Sequence, residues 1–402
     1  MNQPTMSVRS FVPWLLALVI SLSHVVPTFA TPVGVRSFSH TSLAQAAYRQ
    51  GMASLLKGDF RQAEAAFKES VRLEPEHIRG LLGLAEVALR QDQIAEAETY
   101  LKQAIATQPT AVLPHIDLGE LYLLKLRQPR PAAAAYRAAL ALDASQARAH
   151  YGLGVALTMM GQTAAARVSL EEASRLQPTN ASVWHTLGRL HVEAKAYNQA
   201  LDAFAMALKV QPTFLQASLD RGDVLVAMGH DDQALQEYQK LLDVAPTFAP
   251  AQVRIGTIHV RNKRIDAARQ AYIKAITLDP SSAVAYNNLA WLAAERREAL
   301  DQALAWAQKA VALAPNTPRF YDTLGWVHRA RGELHAAANA LHKALALNTK
   351  HAEIAYRLGV VYQEMGQVDK AKAFLNKALT LTTESSGANE VRPPVGHTVE
   401  HE

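Results

Sequence analysis

From Ala44 to Ser385 the apolar residues recur in paired amphipathic stretches, and the pairing repeats about every 34 residues. Apolar positions fall three and four apart within each stretch, the spacing that lines one face of an α-helix. Each repeat therefore predicts a helix A, a tight turn, a helix B and a second turn. The clearest copy is 181–214, where Trp184, Leu187, Gly188, Ala200, Phe204, Ala207 and Pro212 take positions 4, 7, 8, 20, 24, 27 and 32. The units are 44–77, 78–111, 112–146, 147–180, 181–214, 215–248, 249–282, 283–317, 318–351 and 352–385. Two of the ten carry one additional residue. In the third unit it is placed beside Gln128-Pro129-Arg130-Pro131 and in the eighth near Glu298-Ala299-Leu300, between the two helices, where an insertion disturbs packing least.

Punctuation and size agree with this reading. Gly58, Gly161, Gly229, Gly332 and Gly366 stand at position 15, where helix A must stop. Pro75, Pro109, Pro178, Pro212, Pro246, Pro280 and Pro315 follow helix B and cannot extend it. Small residues at positions 8 and 20, such as Gly51 with Ala63 and Gly325 with Ala337, let paired helices approach closely. Large apolar residues at positions 24, 28 and 30, such as Phe67, Val71 and Leu73, bury the seam to the next unit. The pattern is broken at Gln50 (position 7) and at Ala144, Thr349 and Thr383, which stand where proline is expected.

Self-similarity of this period and residue type is the mark of a solenoid repeat. The chain resembles a tandem tetratricopeptide repeat protein over Ala44–Ser385. The resemblance implies an all-α, right-handed superhelical solenoid of about ten helix-turn-helix repeats. It also implies that helix A lines a concave face with positions 2, 5, 9 and 12, and that the ligand is a peptide or protein segment. Some members grip a peptide's terminal carboxylate with Lys and Asn. Asn288 matches one such place, but the lysines are missing, which excludes that specialised reading.

On the implied groove, position 9 is tryptophan in two adjoining units, Trp291 and Trp326. Asn287, Asp322, Arg329, Tyr356 and Gln363 fall nearby, so apolar rings adjoin groups that fix the register of an extended peptide or a sugar chain. The competing reading packs both tryptophans between A helices as structural residues. Earlier units place Glu86, Glu120, Arg189 and Asp223 at position 9, a mixed surface with no evident ligand logic. Basic residues gather between 250 and 335, among them Arg254, Arg261, Lys263, Arg269, Arg296 and Arg331. A solvated helical edge explains them, and an acidic partner such as anionic lipid or acidic polysaccharide is the functional alternative.

The ends are of a different kind. Arg9, a largely apolar run from Phe11 to Val26 and Thr28-Phe29-Ala30 have the layout of a secretory signal peptide over 1–30, with an uncleaved membrane anchor as the alternative. Residues 31–43 read as a linker, and the polar tail 386–402, with Pro393-Pro394, as disordered. With no further helix to cover the last unit, its seam is either sealed by Lys370, Asn376 and Lys377 or free for end-to-end contact through Phe374.

Composition narrows the chemistry. The absence of cysteine excludes a disulfide framework, a thiolate metal site and a cysteine nucleophile. A net charge of +5 over 402 residues is too slight to imply nucleic acid, and export removes the chain from it. No phosphate-binding loop, nucleophile elbow or paired-histidine metal motif occurs, so no catalytic residue, metal or cofactor is expected. The expectation is a non-enzymatic, periplasmic or secreted scaffold that binds protein segments in assembly of an envelope or secretion complex. The alternative is a carbohydrate-binding accessory protein of an exopolysaccharide system. The stretches at 287–291 and 322–326 resemble those of exported bacterial repeat scaffolds.

Overall fold

A computed structural model describes residues 40–386. The predicted signal segment and all but the beginning of the predicted tail lie outside them. Twenty α-helices follow one another from α1 (His40–Leu56) to α20 (Val368–Ser386), with no strand among the described residues. Each odd-numbered helix packs against the even-numbered helix that follows it, so the chain is an all-α helical-repeat solenoid. Two compact units divide it, one reaching Pro212 at the end of α10 (Tyr197–Val210) and the other starting at Thr213 before α11 (Leu215–Ala227). None of the described helices is long and apolar enough to cross a membrane. Because α1 begins at His40, residues 40–43 are helical, whereas the sequence reading placed them in a linker.

Every A–B turn uses at least one residue in the left-handed backbone region. Glycine supplies it five times, at φ of 71° to 81°. Asp92, Arg127, Lys195, Lys263 and Arg297 supply it in the other units, at φ of 53° to 59°. The left-handed conformation costs a residue with a Cβ about 1–2 kcal/mol. Part of that is offset because glycine gives the unfolded chain more freedom. Lys263→Gly is therefore expected to stabilise the chain by roughly 0.5–1 kcal/mol, read as a higher midpoint of urea unfolding.

The two longer units absorb their additional residue differently. In the eighth, Arg297 and Ala299 are both left-handed, at φ of 53° and 47°, and the residue lies in the loop as expected. The third departs from expectation. After α5 (Val112–Glu120), residues Leu121–Lys125 form a π-helical turn, so the insertion lies within helix A and not beside Pro129. A single π-turn takes up one residue without breaking the helix.

Two of the three missing prolines, those at Ala144 and Thr349, leave the turn intact. The residues that end helix B ahead of proline, such as Glu74, Gln177 and Asp279, share an extended backbone at φ between −143° and −133°. Proline favours that conformation in its predecessor. At Ala144 and Thr349 the preceding side chain bonds across the turn, as Asp279 also does ahead of Pro280: Asp143 Oδ1 accepts from Ser145 N at 2.8 Å, and Asn348 Oδ1 accepts from Lys350 N at 3.2 Å.

In several repeats the core is a large ring seated on glycine, and in others a leucine takes its place, as Leu170 does against Gly154. Phe67 is wholly buried between α1 and α3 (Ile78–Arg90). A methyl group at Gly51 or Gly83 would lie 2.5–2.6 Å from its ring, so both positions need hydrogen. Tyr238, on α12 (Asp231–Val244), is seated in the same way against Gly222.

Candidate functional site

The predicted groove residues lie on α15 (Ala283–Arg296), α17 (Pro318–Ala330) and α19 (Ala352–Glu364). The structure sorts them by position in the repeat. Trp291 and Trp326, at position 9, are half-buried. Asn287 and Asp322, at position 5, are only 1% and 3% exposed. Ile116, Tyr151 and His185 hold the same position in earlier units and are buried too. Position 5 therefore belongs to the interior and not to the groove, because the next helix A packs over it. Tyr356 has that position in the last repeat and is 55% exposed, since no described helix follows to cover it. It marks the end of the stack. Gln363 is exposed.

Trp326 is the centre of the cluster. Its indole Nε1 donates to Glu295 Oε1 at 2.6 Å, which ties α17 back to α15. The guanidinium carbons of Arg329 and Arg357 lie 4.3 and 5.0 Å from the ring centroid, within cation–π range. Arg329 also holds Glu364 at 2.5 Å, so the platform continues onto α19. Trp291 packs on the apolar group formed by Val253, Tyr272, Leu289 and Leu292. Both tryptophans thus serve packing and leave part of each ring at the surface.

Beneath them lies a polar layer. Arg357 Nη1 donates to Asp322 Oδ2 at 2.8 Å and Arg357 Nη2 to Glu353 at 2.5 Å. Burial raises the Asp322 carboxyl above the usual carboxylate range although Arg357 opposes it. Asn287 Nδ2 donates to Asn288 Oδ1, which also accepts from Arg319, each at 3.3 Å.

Charged residues that had no evident logic in the sequence turn out to join neighbouring repeats. Arg148 donates to Glu120 at 2.5 Å and to Asp117 at 2.9 Å, and burial raises Asp117 to about 6. Arg254 donates to Asp223 at 2.8 Å, and Asp223 also accepts the Tyr238 hydroxyl at 2.5 Å. An acid at position 9 followed one repeat later by arginine near the start of helix A was the available signal. Much of the basic edge is likewise paired within the chain: Arg261 with Asp231, Arg269 and Arg296 with Glu298, and Arg331 with Asp301 and Glu333. Those pairs remove most of the motive for an acidic partner.

Phe374 is half-buried. Its ring stacks on Tyr362 at 5.6 Å and meets His342 edge-on at 5.4 Å. The large apolar side chains that α20 leaves exposed are Val368 at its start, 57% exposed, and Leu379, 65% exposed.

Comparison with known proteins bears on the whole chain. Two family models, both described as tetratricopeptide repeat, match it, one at 54–122, 123–190 and 328–385 and the other at 185–251 and 253–318. Among curated relatives, the human protein O-mannosyl-transferase TMTC3 is 27% identical over 164 residues, which is 40% of this chain and 14% of that protein. The chain thus spans about a seventh of that relative's length. Among solved structures, YrrB, described as a TPR protein with an unusual peptide-binding site, is similar at 24% identity and a TM-score of 0.40, over 47% of this chain and 96% of its own. PilW, described as a widely conserved type IV pilus biogenesis factor, is similar at 20% identity and a TM-score of 0.47, over 52% of this chain and 96% of its own. These two structures share the fold alone.

Proposed function

The chain belongs to the tetratricopeptide repeat family, and on that premise we propose that it is a non-enzymatic scaffold holding an extended protein segment along α15, α17 and α19. The observation that carries this reading is the pair Trp291 and Trp326. They place part-exposed rings at position 9 of consecutive repeats, where earlier units carry Glu120 and Asp223 engaged with neighbouring arginines. The rings offer apolar contact, while the exposed Gln363 and the rim of charged groups offer register. A protein segment suits this surface better than a sugar chain. Stacking a sugar needs an open ring face, and the Trp326 ring already carries two guanidiniums while its N–H is held by Glu295.

The activity in the name of the O-mannosyl-transferase relative is not carried over on a match to 14% of its length. The charged, apolar and small-residue run over 9–30 supports an exported location, and with it a part in assembling an envelope or secretion complex.

The test is capture. Crosslinking with the wild-type chain as bait identifies a bound protein. The double variant Trp291→Ala, Trp326→Ala is expected to keep its helical circular dichroism and lose that protein. Undiminished capture by the folded double variant removes the reading, and selective retention on a glycan array in place of peptides transfers the site to carbohydrate.

A further inference from the structure

The face left open by α19 and α20 is one that, elsewhere in this chain, a following helix A covers. Leu345 and Leu379 are equivalent at position 28, yet they are 6% and 65% exposed. The open face repeats the chemistry of a covered one. Tyr356, Val360, Leu375 and Leu379 stand where the first repeat has Tyr48, Met52, Phe67 and Val71. There α3 closes the seam. Its Gly80 and Gly83 lie against Val71 and Phe67, and its Leu84 and Val87 are buried in the same apolar group. The covering helix thus presents small residues at i and i+3 and branched aliphatics at i+4 and i+7.

We propose that the α19–α20 face is the docking site for an amphipathic α-helix of a partner protein carrying that pattern. Recognition of this kind, a helix laid into an apolar groove through i, i+3, i+4 and i+7 anchors, is a common mode of peptide binding. Neither residues 1–39 nor residues 387–402 carry small residues at i and i+3 followed by branched aliphatics at i+4 and i+7. At the corresponding positions α1 has Ala46, Arg49, Gln50 and Ala53, all exposed, without the branched aliphatics of α3. Helix α20 has 19 residues, against 14 in α18 (Leu334–Leu347), so the chain runs on past the point where α18 turns back. Two copies meeting at this face would set Tyr356 and Leu379 against each other, without the small residues that let helices approach.

The test uses a fluorescent synthetic peptide of residues 77–91, the α3 segment, and the full chain. Anisotropy is expected to show saturable binding with a Kd on the order of 10 µM. A scrambled peptide of the same composition does not bind. Leu379→Glu and Tyr356→Glu each weaken binding about tenfold or more with helical circular dichroism unchanged. The double variant Trp291→Ala, Trp326→Ala binds the peptide like wild type, which separates this site from the groove. Failure of the peptide to bind, or equal binding by the Glu variants, overturns the proposal. So does a wild-type dimer in sedimentation that Leu379→Glu converts to monomer, because a second copy is then the occupant.

Discussion

Replacing Arg357 by Met is expected to lower stability by about 3–5 kcal/mol, the usual cost of removing one partner from a buried ion pair. The change leaves the Asp322 carboxylate 3% exposed without the cation that faces it at 2.8 Å. It also takes a guanidinium off the Trp326 ring. The loss depends on pH in a direction that the carboxyl dictates. Burial holds the folded-state pKa of Asp322 above its unfolded value. Below the unfolded value both states are protonated and the group costs nothing. As pH rises through the interval the unfolded state ionises first, and stability falls. Without Arg357 the interval widens upward, so the variant should lie closer to wild type at pH 4 than at pH 8. The double variant Asp322→Asn, Arg357→Met should recover most of the loss at pH 8. Urea midpoints at the two pH values decide the matter. A loss independent of pH would place the cause in packing.

Tyr238→Ala is the second large effect, expected at about 3–5 kcal/mol from the lost ring and the cavity it leaves. Tyr238 is fully buried against Gly222, and its hydroxyl donates at 2.5 Å to Asp223, which Arg254 holds from α13 (Ala249–Arg261). The two parts of the loss separate by substitution. Tyr238→Phe keeps the ring and removes only a hydrogen bond to a charged acceptor, about 1.5–3 kcal/mol. Burial and the facing Asp223 carboxylate both push the Tyr238 hydroxyl up from its ordinary value, so it stays protonated and remains a donor at neutral pH. Thermal and urea unfolding of the two variants measure both figures.

The period of the fold was legible because each position carries a size or backbone demand that recurs. Glycine against the ring at position 24 and an extended residue before proline can be read one unit at a time. The candidate site was legible only in part. Trp291 and Trp326 announced themselves by residue type. Asn287 and Asp322 did not, because their polarity argues for a surface while the next helix A lies across them. The π-turn at Leu121–Lys125 was hidden for another reason: Gln128-Pro129-Arg130-Pro131 offers an obvious loop, and nothing in the residues of helix A advertises one more. The neighbours of Phe374 were hidden too, since nothing in the residues of α20 shows that Tyr362 and His342 lie against its half-buried ring.

The ion pairs that cross a seam join residues about one repeat apart: 28 for Arg148 with Glu120, 31 for Arg254 with Asp223 and 35 for Arg357 with Asp322. None of these contacts waits for a distant part of the chain. During synthesis, at about 5–20 residues per second, the partner of each such group emerges roughly 1.5 to 7 seconds after it. The buried charges of one repeat are therefore neutralised while the repeat after next is still being made. An interruption of synthesis then leaves at most the newest carboxylate or guanidinium uncompensated, and the folded part behind it remains closed.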